Sequence, residues 1–249
     1  MRLSRLAWAA ALALLLVAVL AVNAPARLLG LVVPAEQVRL QGLEGTVWSG
    51  SAARAMLRLP QGYIHLGKVR WTLQPLSLLL FSPRLTIDSE WGGQVLSGDV
   101  TLRGTGSLQV RDFDARVSAD LVRQFAPLAI DGRLSAQIAA LSLVDGLPRR
   151  AEGRVVWEDG GFLSPRGRIP LGTYALEFLQ PPGEALRGEV VTVAGPLEAE
   201  GEVALDGRSY RIDLLLGSEE TLDRQLRDAL ALMATPEGGD YRLELDGDF

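Results

Sequence analysis

From Val38 onward, apolar and polar residues alternate with a period of two, the pattern of strands with one face on a core and one in water. Ala53, Ala55, Leu57 and Leu59 alternate with Arg54, Met56 and Arg58, and Val69, Trp71 and Leu73 with Lys68, Arg70 and Thr72. Leu96, Gly98, Val100 and Leu102 alternate with Ser97, Asp99, Thr101 and Arg103. The phase slips near Arg111-Asp112 and near Ala140-Leu141. Each slip predicts a bulge or turn, because a shift of one residue turns the buried face outward. The clearest hairpin runs inward through Leu197, Ala199, Gly201, Val203 and Leu205 and returns through Tyr210, Ile212, Leu214 and Leu216. Asp206-Gly207 between such runs is a strong hairpin signal. Glu198, Glu200 and Glu202 then share the outer face, and their repulsion calls for basic residues such as Arg211 opposite them.

Four stretches break the alternation. Leu76, Leu78, Leu79, Leu80 and Phe81 lie between Pro75 and Pro83, as a short helix or a buried loop. Leu121–Ala126 reads as a short helix before Pro127. Ser218 is placed to cap a helix with Glu219 and Glu220 in its first turn and Leu222, Leu226, Leu230 and Met233 along one face. A last strand carries Tyr241, Leu243 and Leu245 on one side. Gly98–Gly104 matches Gly201–Gly207 as strand running into glycine, either a generic β feature or a duplicated sheet unit.

The fourth break is the start of the chain. Leu6–Val22 is 17 residues without a charge. As a helix it reaches about 26 Å, and with its neighbours it spans a hydrocarbon core. Arg2 and Arg5 precede it, which predicts a cytoplasmic N-terminus and an exported remainder. A cleaved signal peptide ending near Ala24-Pro25-Ala26 is the competing reading; the long apolar run and the proline disfavour it. The expected organisation is a cytoplasmic start at 1–5, an anchor at 6–24, a connector at 25–37, and a β-rich domain at 38–249.

Composition narrows the chemistry. Hydrophobic residues are 48% and charged residues 22%, as in folded proteins. Of 25 basic side chains, Arg2 and Arg5 precede the apolar run; the other 23 face 30 acidic ones, which argues against nucleic acid as a partner. With no cysteine, disulfides, thiolate catalysis and cysteine-bound zinc are excluded. One histidine, His65, excludes a pair of histidine ligands, and it lies in a predicted strand with no evident partner. Asp112-x-Asp114 and Asp246-x-Asp248 read as solvated turns in preference to calcium ligands. Nucleotide-binding, zincin and nucleophile-elbow motifs are missing from the sequence. No catalytic residue, metal or cofactor is expected. Phe249 after an alternating strand suggests an outer-membrane barrel, but aromatic content of 6% supplies no girdles.

Leu43-Glu44-Gly45-Thr46-Val47-Trp48-Ser49-Gly50 opens the β-rich part, and Trp71-x-Leu73-x-Pro75 with Leu78-Leu79 follows it. Together with the apolar run before them, these residues resemble the type II secretion system protein N (general secretion pathway protein N) family of Gram-negative inner membranes. The signature residues are Gly45, Thr46, Trp48, Ser49, Gly50, Trp71, Leu73 and Pro75, structural in role or contacts for a partner. The resemblance implies a mainly β fold: a transmembrane helix, then an extended, curved antiparallel sheet of AsmA-like type with one or two short helices. It implies a non-enzymatic subunit that assists export of folded periplasmic proteins across the outer membrane. Its partners would be other secretion subunits, with inner-membrane lipid around the anchor. A periplasmic lipid-binding or lipid-transfer sheet is the alternative; it requires a continuous, exposed apolar groove. On chemistry alone, Gly45–Gly50 is a glycine-bounded turn with one large aromatic, and a buried Trp48 predicts a loss of roughly 3–5 kcal/mol in Trp48→Ala.

Overall fold

A computed structural model describes residues 2–34, 36–59, 62–104, 106–124, 129–218, 222 and 224–248. The helices are α1 (Arg2–Val22), α2 (Leu29–Val32), α3 (Pro75–Leu79) and α4 (Arg224–Met233), with 3-10 turns at Ala26–Leu28 and Ala119–Gln124. The strands are β1 (Val38–Gly45), β2 (Ser49–Leu59), β3 (Gly62–Leu73), β4 (Arg84–Trp91), β5 (Gln94–Arg103), β6 (Ser107–Ser118) and β7 (Ile130–Val144). They continue as β8 (Leu147–Ser164), β9 (Gly167–Gln180), β10 (Leu186–Ala194), β11 (Glu198–Asp206), β12 (Ser209–Gly217), β13 (Thr235–Glu237) and β14 (Asp240–Asp248).

All 14 strands form one antiparallel sheet in the order β1 to β12, then β14, then β13. Each strand pairs with its chain neighbour until α4 intervenes, so nearly every connection is a short turn. At about 4.8 Å per strand, such a sheet is some 60 Å wide. Among the described residues β1 and β13 do not pair, so the sheet is open and the barrel suggested by the last strand does not form. Phe249 itself lies outside the described residues.

The period-two pattern becomes one amphipathic surface. An unbroken row of directly opposed residues crosses thirteen strands: Leu43, Ala52, Val69, Ser89, Leu96, Ala115, Ala136, Val155, Leu176, Val190, Gly201, Leu214 and Leu243. The adjacent row on the other face is Glu44, Ser51, Arg70, Asp88, Ser97, Asp114, Gln137, Arg154, Glu177, Glu189, Glu202, Asp213 and Glu244. Bulges keep this segregation intact. Register slips between Ser97 and Asp99, opposite Asp112 with φ 47°, and again between Ile138 and Ala140. Both lie where the alternation breaks in the sequence. A further bulge between Ala52 and Ala55 corrects the predicted phase of β2: Ala52 and Ala55 are buried and Ala53 is exposed.

The apolar face is covered at its two ends. Near β1, the connector lays Ala26 and Leu29 over Ala52, Trp71, Leu40, Leu43 and Leu85. Near β14, Leu226 and Leu230 of α4, with Leu222, pack against Leu171, Tyr174, Leu197, Ala199 and Leu216. The predicted helix at 219–233 is thus shorter as described. Ser218 donates its hydroxyl to the Pro196 carbonyl (2.8 Å), and Glu219 and Glu220 lie outside the described residues. Leu121–Gln124 falls in the second 3-10 turn, which rests on β7; Phe125 and Ala126 lie outside the described residues.

Helix α1 covers the predicted anchor. Leu12, Leu15, Leu16 and Leu20 are exposed, and among the described residues no other element packs substantially on it. Among the described residues no helix is long and apolar enough to cross a membrane; the side chains of residues 2–7, 9, 10 and 14 fall outside that description.

Candidate functional site

The eight signature residues converge on the end of β1, β2 and β3. Thr46, Val47 and Trp48 form the β1–β2 turn, closed by the Thr46 N–H to the Ser49 carbonyl at 2.9 Å. The Thr46 hydroxyl accepts from the Ser49 N–H at 3.1 Å, which reinforces the same turn. Gly45 and Gly50 stand directly opposite each other below it. Gly45 has φ +83°, open to glycine but strained for other residues. Gly50 lies opposite Trp71, and a Cβ there would come within 2.6 Å of the indole Cζ2 and of the Glu44 carbonyl. The second glycine therefore makes room for an aromatic ring two strands from β1.

The two tryptophans divide the work. Trp71 is the buried one, 7% exposed, and its indole N–H donates to the Val47 carbonyl at 3.1 Å. Trp48 is half-buried, so the packing role expected of it belongs mainly to Trp71. The Trp48 indole N–H instead donates to the Ala21 carbonyl at 2.7 Å, in the last turn of α1. The Val47 N–H donates to the Ala24 carbonyl at 2.9 Å, and Pro25 bridges to Thr46. Helix α1 has unsatisfied carbonyls at its C-terminal end; this turn supplies a donor to one of them, Ala21, and another to Ala24 just beyond the helix. The signature is the joint between the N-terminal helix and the sheet.

Leu73 and Pro75 extend the joint. The Leu73 N–H donates to the Trp48 carbonyl at 2.7 Å, and Pro75 opens α3, where its fixed φ suits the first helical position. The segment is a short helix, but it is not buried: Leu76, Leu79, Leu80 and Phe81 are 75–89% exposed.

The polar face carries the second feature. A groove of about 1560 Å³ lies over β7 to β12 and β14, with Glu177, Glu189, Glu202, Asp213, Arg154 and Arg242 in its lining. Five carboxylates oppose one another in sequence across these strands, from Glu177 through Glu189, Glu202 and Asp213 to Glu244, the first four in the groove lining. Directly opposed like charges destabilise a sheet, and flanking arginines offset them. Arg242 lies 3.0 Å from Asp213 and 3.2 Å from both Glu237 and Glu244. Hydrogen bonding to Asp213 holds its pKa above the ordinary arginine value. Arg154 reaches Glu177 at 3.5 Å and Arg187 reaches Glu202 at 3.8 Å. Arg211, expected opposite the glutamates, faces Ala204 and Asp246 instead.

The other sequence candidates stay apart. His65 is exposed, its ring 6.0 Å from that of Trp91. Asp112 sits in the β6 bulge and Asp246 in β14, opposite Arg211. Among the described residues no three acidic or histidine side chains gather as metal ligands.

An open amphipathic meander with a helix jointed to its first hairpin defines a β-sheet component tied to an N-terminal segment. The family model of type II secretion system protein N matches residues 36–244. The chain is 29% identical over 227 residues to the type II secretion system protein N of Aeromonas hydrophila, covering 86% of each. It is 27% identical over 225 residues to that of Vibrio cholerae serotype O1 (strain ATCC 39315 / El Tor Inaba N16961), covering 85% of each. No solved structure matches the chain. The chain belongs to the type II secretion system protein N family.

Proposed function

We propose that this chain is a non-enzymatic, single-pass inner-membrane component of the type II secretion system, with its N-terminus cytoplasmic and its sheet periplasmic. It assists export of folded periplasmic proteins across the outer membrane by binding other secretion subunits. The observation that carries this reading is the difference between the two edges of the sheet. The last strand, β13, is three residues long and contains Pro236, a blunted edge. The first, β1, is eight residues long, without proline, and bonded only to β2 among the described strands. A strand from another subunit adds to such an edge through main-chain hydrogen bonds. The exposed leucines of α1 support an anchor in lipid, and the joint holds the open edge next to it.

The test is secretion itself. In a host that lacks this chain, folded substrates accumulate in the periplasm, and the full chain restores their appearance outside the cell. Normal export without the chain contradicts the reading.

One observation favours the alternative of a lipid-binding sheet: the apolar row runs across thirteen strands, and the two apolar clusters that cover it, under the connector and under α4, leave strands between them. The large groove, however, intersperses its apolar residues, Leu179, Val191 and Leu215 among them, with the carboxylates and arginines of the charged face, so it offers acyl chains no continuous apolar lining. Lipid adducts on the purified chain in native mass spectra, surviving exchange of the detergent, would favour this alternative.

A further inference from the structure

We infer that the α3 loop is a second membrane contact, inserting its apolar tip into the lipid surface beside the exit of α1. This rests on the anchored reading above and deepens it.

From Pro75 to Pro83 the chain carries no charge. Leu76, Leu79, Leu80 and Phe81 are 75%, 75%, 77% and 89% exposed, and among the described residues α3 packs substantially on no other element. Side chains of this kind in one cluster mark a contact surface.

The loop is built, not merely unpacked. Ser77 is buried; its hydroxyl donates to the Gln74 carbonyl and accepts from the Arg84 N–H at 2.9 Å. The Gln74 N–H donates to the Arg84 carbonyl (3.0 Å), and the Phe81 N–H to the Leu78 carbonyl (3.0 Å). The one polar side chain within the helix is thus turned inward to brace the base, while the leucines point out. Phe81 adopts φ 50°, unfavourable for a bulky residue, and in this conformation presents its ring almost fully to solvent.

Position selects the occupant. The Trp48 indole holds the last turn of α1, and the Trp48 carbonyl accepts from Leu73, two residues before Pro75. The loop therefore lies one strand over from the point where α1 joins the sheet. If α1 leaves the bilayer there, the uncharged tip is at the height of the lipid surface, where apolar side chains partition into the acyl boundary. Arg84 at the base and exposed Arg27 after the helix would sit at headgroup level.

The absence of cysteine in the chain allows labelling at one site at a time. Leu79→Cys, Phe81→Cys, Leu15→Cys and Arg208→Cys are each labelled with a nitrobenzoxadiazole fluorophore. The full chain is then reconstituted into phosphatidylcholine–phosphatidylglycerol vesicles with or without doxyl-labelled lipid. Leu80→Cys serves as a second tip position, and far-ultraviolet dichroism confirms that each labelled chain keeps its strand content. The expected result is quenching by shallow doxyl lipid at 79, 80 and 81 at least twofold stronger than at 208, with protection from aqueous iodide. Emission at these positions matching 208, while 15 is quenched by deep doxyl lipid, overturns the inference and leaves the anchor standing. No quenching at 15 overturns the anchored reading and this inference with it. Protection at 79–81 that requires added secretion subunits instead assigns the loop to a protein partner.

Discussion

Replacing Trp71 by alanine is the most informative single perturbation. The indole is 7% exposed and packs with Ala26, Ala52, Leu29 and Leu85. Truncating a buried tryptophan costs about 3–5 kcal/mol. A sheet with one covered face lets water reach the gap, so the transfer and cavity cost falls near about 3 kcal/mol. The Val47 carbonyl also loses its donor, at roughly 1 kcal/mol. The sum, about 4 kcal/mol, is close to a thousandfold in an opening equilibrium. Hydrogen exchange of the full chain in detergent reads this locally. Protection in β1, β2 and β3 should fall by about a thousandfold, while β11, β12 and β14, which belong to the other apolar cluster, should keep theirs. Trp71→Phe, which keeps a ring, should lose about tenfold or less. A loss under tenfold in Trp71→Ala, or an equal loss at both ends of the sheet, would refute this account of the packing.

Gly50→Ala should also loosen the first hairpin, by about 1–3 kcal/mol, because its Cβ would press on backbone and on Trp71; an unchanged melting temperature would show that the ring can move aside. Tyr174 donates between the carbonyls of Leu171 (2.9 Å) and Leu197 (2.8 Å), and burial raises its pKa well above the ordinary value. Its neutral form is retained in the folded chain above pH about 10, where the unfolded chain ionises, so stability is unaffected below that pH and falls by up to about 1.4 kcal/mol per unit above it. Urea midpoints between neutral and alkaline pH should show this fall in the native chain and a shallower one in Tyr174→Phe. Arg242→Gln removes the cation shared by Asp213, Glu237 and Glu244, so it should lower the melting temperature in low salt and much less in high salt; a salt-independent loss would point to packing instead.

Much of the sheet was legible because period two survives in each strand separately. The hairpin at Gly207, the slips at Asp112 and Ala140, and the inward set from Leu197 to Leu216 needed no tertiary information. What one strand does not encode is its partner. Ala52 and not Ala53 is buried because a bulge lies between Ala52 and Ala55. Which tryptophan is buried depended on Gly50 standing opposite Trp71, two separate strands in one row. The acidic row was invisible for the same reason, since its carboxylates come from five strands. The 76–81 segment reads as a short helix or a buried loop; the helix forms, but a single-layered sheet gave it nothing to pack on. The signature residues were identifiable as a group, whereas their bond to Ala21 in α1 required the fold.

The proposed working contact of this chain is its open first strand, β1. A photoactivatable residue at exposed Gln41 or Glu44 of β1, with Glu237 of β13 as the control, tests this in living cells of a type II-secreting host. Ultraviolet-dependent adducts with other secretion subunits are expected from 41 and 44 and none from 237. Adducts from 237 alone, or no protein adduct from β1 while secretion proceeds, would contradict it.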